Sequence, residues 1–161
     1  MKKETIDSRK DKVIVSNRKA RHLYFIKERF EAGIELRGTE VKSLRAGRAS
    51  LSDSYATVDN REVFLHNSHI QVYEQANRFN HNPIRLRRLL LHKSEIKRLL
   101  GKIKEKGMSL VPLSMYFHKN KVKVELALVK GKKSFDKRHD IESRDAKRDM
   151  ERTLKEMHRY K

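Results

Sequence analysis

The sequence predicts a mainly β protein: an OB-type closed antiparallel Greek-key barrel with about three short helices and a basic C-terminal tail. Three observations predict it. Short alternating apolar segments recur through residues 13–130, one clear amphipathic helix interrupts them, and apolar residues become sparse from residue 130 onward. Closing such a sheet removes the exposed strand edges that a short β chain otherwise presents.

Each element has a local reason. Val13, Ile14 and Val15 make a strand of 12–16, and Asn17 is placed to cap a brief helix through His22. In 23–36, Tyr24, Ile26, Phe30, Ile34 and Leu36 share parity, which favours a strand with Gly33 as a bulge or bend, although 27–32 could equally be helical. Gly38-Thr39 opens a helix with Val41 and Leu44 facing inward and Gly47 as its stop. Segments 54–58 and 62–66 flank Asp59-Asn60-Arg61 as a hairpin, 68–73 offers a further strand, and 78–83 reads as loop. Ile96, Leu99, Leu100 and Ile103 lie at i, i+3, i+4 and i+7 of a helix over 94–106, with Ser94 as cap and Gly107 as stop. Last, 110–118 and 121–129 pair across Lys119-Asn120, with Val122, Val124, Leu126 and Leu128 on one face.

Charge sorts the chain by function. It has 161 residues, 40 Lys and Arg against 21 Asp and Glu, and a formal charge of +19. Residues 1–12, a flexible basic N-terminus, carry +2; residues 130–161 carry +5; the barrel segment between them carries +12. Such an excess opposes compaction unless a polyanion neutralises it, so nucleic acid is the expected partner. No apolar run exceeds four residues, where a bilayer span needs about 20, so no membrane association is expected and the protein is read as cytoplasmic. Absence of cysteine excludes disulfides, thiolate zinc sites and cysteine nucleophiles, and no cofactor or metal is expected. In the tail (131–161), Ala146, Met150, Leu154 and Met157 share one helical face, yet too few apolar side chains are present to fold it alone. The tail is therefore expected to be disordered when free and helical on a negatively charged surface; the alternative is a solvated helix end.

Two constellations carry RNA chemistry. Asn17, Arg18, Lys19, Arg21, His22 and Tyr24 set cations beside rings, which neutralise phosphates and stack on bases. Arg85 and Arg87 alternate on one face of an extended segment, a spacing suited to successive phosphates, or else to an edge strand with its arginines in water. Glu31 sits among cations, where a carboxylate repels phosphate and suits base amino groups or the orienting of an arginine. Gly131-Lys132-Lys133-Ser134 lacks the spacing of a phosphate loop, so NTP hydrolysis is rejected. His66 and His69 point to opposite faces of a strand, and His22 with His118 could serve as an acid–base pair only if the fold brought them together. A cationic ribonuclease and a generic OB-fold RNA binder remain as alternatives.

Asn17 to Tyr24 with Glu31-Ala32-Gly33-Ile34, then Gly38-Thr39-Glu40-Val41-Lys42-Ser43-Leu44-Arg45, resemble the small protein B (SmpB) family. So do Asn82-Pro83-Ile84-Arg85, Leu89-Leu90-Leu91-His92-Lys93 and Gly131-Lys132-Lys133 with Asp136-Lys137-Arg138. The resemblance runs over about residues 12–145, with the motifs in order. It implies a non-enzymatic OB-type barrel that binds the tRNA-like domain of transfer-messenger RNA (tmRNA) and stands in for the anticodon arm this RNA lacks. The complex, with elongation factor Tu and GTP, would enter ribosomes stalled without a stop codon (trans-translation), and the tail would occupy the empty mRNA channel near the 16S rRNA decoding centre. A monomer is expected. By match to family motifs, the RNA face includes residues 17–22, Tyr24, Glu31, Leu91 and Lys93, while Gly131, Lys132, Lys133, Asp136, Lys137 and Arg138 serve the ribosome-facing tail. Phe135 stands where some relatives carry histidine and Ala146 where an aromatic is common, which would redistribute stacking to Phe135 and Tyr160, with Met150 and Leu154 on the tail's apolar face.

Overall fold

Residues 12–76, 80–104 and 107–159 are described by a computed structural model. The proposed N-terminal arm lies outside these residues except for Lys12, as does Tyr160. Strand β1 (Lys12–Ser16) leads into α1 (Arg18–Leu23), β2 (Tyr24–Ile34) and α2 (Gly38–Arg45). After the short β3 (Ala49–Ser50) come β4 (Tyr55–Asp59), β5 (Glu62–His66) and β6 (His69–Ile70). Then follow β7 (Arg87–Leu90), α3 (Lys93–Ile103), β8 (Met108–His118), β9 (Lys121–Gly131) and α4 (Ser134–Arg159).

The main sheet runs β1-β8-β4-β5-β7-β2-β9, and an additional β8–β9 pairing closes the six strands from β8 to β9 into the expected antiparallel barrel, with β1 laid along β8. Both hairpin turns have two residues at positive φ, Asn60-Arg61 and Lys119-Asn120, which matches the twist of the strands they join. Val124, Leu126 and Leu128 are fully buried inside with Phe30, Ala32, Val63, Leu65 and Leu89. Helix α3 adds Ile96 and Leu99 to this core. It is also pinned by Arg98 and Lys102, which both pair with Glu28. Its first turn differs from expectation: the cap is His92, whose N–H donates to Glu95 Oε2 at 2.9 Å, and Ser94 lies within the helix. The 68–73 strand shrinks to β6, which pairs only with β3 outside the barrel.

Two bulges set what the outer surface shows. In β2 the register slips between Ile26 and Glu28, so Gly33, which keeps its pairing with Lys123 and Leu90, is not the bulge. The extra residue reverses the facing of the chain. Tyr24 and Ile26 pack on an outer cluster while Phe30 and Ala32 enter the core, although all four share parity in sequence. In β8 the slip falls between Pro112 and Ser114, where proline has no N–H to give the ladder. This outer cluster (Val111, Leu113, Ala127 and Val129) seats Ala20 of α1.

Helix α4 has another character. Its described side chains from 141 to 157 are all exposed. Its first turn is fixed locally: Asp136 Oδ2 accepts the Lys133 N–H at 3.0 Å, and the Lys137 N–H donates to the Lys133 carbonyl. No helix among the described residues is long and apolar enough to cross a membrane.

Candidate nucleic-acid interface

The bulge in β8 is what positions α1. Freed from the ladder, the Leu113 carbonyl accepts the Asn17 N–H at 2.7 Å, and the Pro112 carbonyl accepts from Asn17 Nδ2 at 3.3 Å. A second Nδ2 bond reaches the Leu51 carbonyl at 3.2 Å, and Oδ1 caps the helix by accepting the Ala20 N–H at 3.1 Å. Asn17 is thus engaged in holding the helix, and its neighbours are left to meet a partner. With Ala20 buried, Arg18, Lys19 and Arg21 point to solvent from one short turn. His22 is half-buried, and its Nδ1 accepts from Arg144 Nη2 of α4 at 3.0 Å.

The structure joins two groups that stand about 110 residues apart in sequence. Gly131 pairs with Tyr24, the Lys132 N–H donates to the Leu23 carbonyl at 2.9 Å, and Lys132 Nζ donates to the Arg21 carbonyl at 3.1 Å. Lys132 also lies 5.0 Å from the centre of the exposed Phe25 ring. Residues assigned to the RNA face and to the start of the tail therefore form one cationic surface, continued by the exposed Lys133 and Arg138 and by a 78% exposed Phe135. Lys137 is half-buried, while Met150 and Leu154 are exposed on α4.

Glu31 stands further along the outer face of the barrel. It accepts from the Tyr116 hydroxyl at 2.5 Å and pairs with Lys123 Nζ at 3.0 Å, so it orients a tyrosine and a lysine, not an arginine. The Tyr116 hydrogen bond, with help from Lys123 and against a smaller cost of burial, holds the Glu31 carboxyl below its ordinary value. Beside it, Glu125 takes Arg29 at 2.9 Å and the Ser114 hydroxyl at 3.0 Å. The pairing of Leu90 with Gly33 brings the next residues alongside β2: Leu91 is half-buried on the core, and Lys93 is exposed at the start of α3.

Arg85 and Arg87 require a correction. They do share a face, but it turns toward Glu40, with Arg85 half-buried and only Arg87 in the interior. Arg87 is 0% exposed, with Nη1 on the carbonyl and hydroxyl of Ser68, Nη2 on the Pro83 carbonyl and Nε on Glu40. With Nη2 also 2.9 Å from Glu40 Oε1, no N–H of its guanidinium is left for a phosphate. Arg85 lies against the same carboxylate through bonds of 2.8 and 2.7 Å, and the Arg37 N–H adds a third donor at 2.6 Å. Burial alone would raise the Glu40 carboxyl, but the Arg85 and Arg37 hydrogen bonds and the Arg87 charge outweigh it and hold it below its ordinary value. Alternation showed that the two arginines go together; only the position of Glu40 shows which way they go.

Sequence reasoning also missed the pair Tyr55 and His66. Their rings stack with centroids 4.8 Å apart and planes 2° from parallel, and His66 Nε2 lies 2.8 Å from Thr57 Oγ1. The hairpin of β4 and β5 makes them direct cross-strand partners, a signal the register would have supplied. His22 and His118 are not brought into an acid–base pair. The first bonds Arg144, while the second sits beside the β8–β9 turn, paired with Lys121.

The chain is similar to known proteins over most of its length. The family model described as SmpB protein matches residues 14–156. The chain is 62% identical over 146 residues to the SsrA-binding protein of Desulforamulus reducens, covering 90% of this chain and 91% of that one. It is 60% identical over 149 residues to the SsrA-binding protein of Moorella thermoacetica, covering 92% and 96%. Among solved structures it is similar to one described as "tmRNA-SmpB: a journey to the center of the bacterial ribosome", with a TM-score of 0.64 and 50% identity over 74% of this chain and 85% of that one.

Proposed function

The chain belongs to the SmpB family, and from that membership we propose that it is a tmRNA-binding protein of trans-translation, the rescue of stalled ribosomes. The observation that carries this reading is α1: three exposed cations on one turn, fastened to a closed barrel by Asn17 and joined to Lys132. Rigid display of cations suits a folded RNA, because the geometry of the phosphates is already matched before they meet. The tRNA-like domain is the partner of this face, with Glu31, Leu91 and Lys93 extending the interface along the barrel. The protein takes the place of the missing anticodon arm and acts as a monomer, together with elongation factor Tu and GTP, in the cytoplasm. No catalytic step is assigned to it. The exposed α4, a helix of mixed charge with an apolar stripe that follows the basic Lys130 to Lys133, is the part that enters the empty mRNA channel.

Charge reversal of Arg18, Lys19 and Arg21 together tests the first half. RNA affinity should fall, and the slope of log affinity against log salt should flatten by roughly 0.7–0.9 for each phosphate that is no longer neutralised. An unchanged slope places the interface elsewhere. Truncation after Arg138 tests the second half: affinity for tmRNA is retained while tagging of stalled products disappears, and persistent tagging refutes the role given to α4.

A further inference from the structure

A cleft of about 700 Å³ lies over the seam of β4 and β8, with α1 as one wall. The seam is open because the two strands share only the Ala56–Leu110 pairing. Lys19 is the only basic side chain among its described lining residues and Asp53 the only acidic one, so the cleft is neutral in a chain of charge +19. Its floor is apolar, with Ala56, Leu110 and Val111. A phosphate site would gather several cations, and this one does not. Its size falls in the range of small-molecule pockets, about 300–1,000 Å³.

We infer that this cleft takes a single unpaired base of the bound RNA, stacked on Tyr55. Tyr55 lines the cleft and is 43% exposed, although the stack of its ring on His66 already holds it in place. With His66 fixed in turn by Thr57, little side-chain freedom is lost when a base arrives. Tyr24 lines the same cleft from the end of α1. The Asp53 carboxylate, on a residue at φ 61°, accepts hydrogen bonds from amino or imino groups of a base edge and repels phosphate. Lys19 serves the phosphate attached to that base at the mouth. Because α1 is shared, the cleft turns a sequence-independent cationic helix into part of a site that recognises an extruded base in one structured RNA. This inference rests on the reading of the chain as an RNA binder and adds a specific pocket to it.

The test uses the full chain and the tRNA-like domain of tmRNA carrying 4-thiouridine at its unpaired uridines, with titrations at several salt concentrations. Tyr55→Ala should weaken binding about 5- to 100-fold, the equivalent of removing one base–aromatic stack, with the salt slope unchanged. Tyr55→Phe should restore most of that loss, and Tyr73→Ala, outside the cleft, should cost nothing. Irradiation should cross-link the RNA to the peptide containing Tyr55. If Tyr55→Ala lowers the melting temperature, Ser109→Trp replaces it, since a large ring at that exposed lining position blocks the cleft and should weaken binding to a similar extent. Affinity within twofold of the parent for both variants overturns the pocket, while the charge-reversal response above still stands as support for RNA binding. A changed salt slope in Tyr55→Ala, or no cross-link to its peptide, overturns it as well. Should the parent chain fail to bind this RNA, the functional reading itself falls.

Discussion

The barrel and helix α4 are built by opposite means. In the barrel, side chains from β2, β4, β5, β7, β8 and β9 meet in one core, and even a wholly buried carboxylate is satisfied by three residues. In α4 the described side chains from 141 to 157 are all exposed, and beside one bond from Arg144 to His22 of α1 the helix has a cap, backbone bonds and local pairs such as Arg148–Asp145 at 3.7 Å. Exposed pairs of that kind contribute only about 0.3–0.5 kcal/mol each. The two parts therefore store information differently. The barrel fixes the geometry of its cations through a packed core, whereas α4 keeps its helix with few contacts to the rest of the chain.

Removing the buried carboxylate is the harshest way to test that contrast. Glu40→Ala leaves Arg85 and Arg87 without their anion and should cost about 3–5 kcal/mol, seen as a fall in melting temperature of roughly 10 °C. Because the folded-state Glu40 carboxyl is held below its ordinary value, its contribution is present above the carboxylate range and fades as pH falls through it. The difference between parent and Glu40→Ala should therefore narrow below about pH 4, and a constant difference would assign the loss to packing alone. Asn17→Ala comes next, at about 1–2 kcal/mol for a missing cap with two further bonds, and RNA affinity should drop as α1 loosens. Smallest is Met150→Gly in α4. It should leave the barrel's melting unchanged within about 0.5 kcal/mol while reducing the far-ultraviolet helix signal. If the melting temperature falls with it, α4 is a folded part of the barrel and the contrast fails.

Much of this architecture was legible in the chain. The closed barrel, the hairpin turns, the Asn17 cap and the inward face of β9 all follow from alternation, turn residues and capping chemistry, because those signals act over a few neighbours. The same holds for the cations of α1, whose exposure follows once Ala20 is the one small residue on a turn of long charged ones. The direction in which a side chain faces depends on more distant groups. Residues 24, 26, 30 and 32 have one parity and two faces, since a bulge cannot be read from hydrophobicity when both faces of β2 are covered.

What the sequence determined by itself was the class of fold, the caps, the turns and the electrostatic preference for a polyanion, all of which are local or additive properties. Tertiary structure alone decided that Arg85 and Arg87 turn to Glu40, because the anion that captures them lies some 45 positions earlier in the chain. It likewise decided that Lys132 meets α1 and that Tyr55 lies over His66 at the rim of a neutral cleft. The physical reason is shared: a charge or a ring acquires its role from the group it touches, and strand closure brings together groups that sequence distance keeps apart.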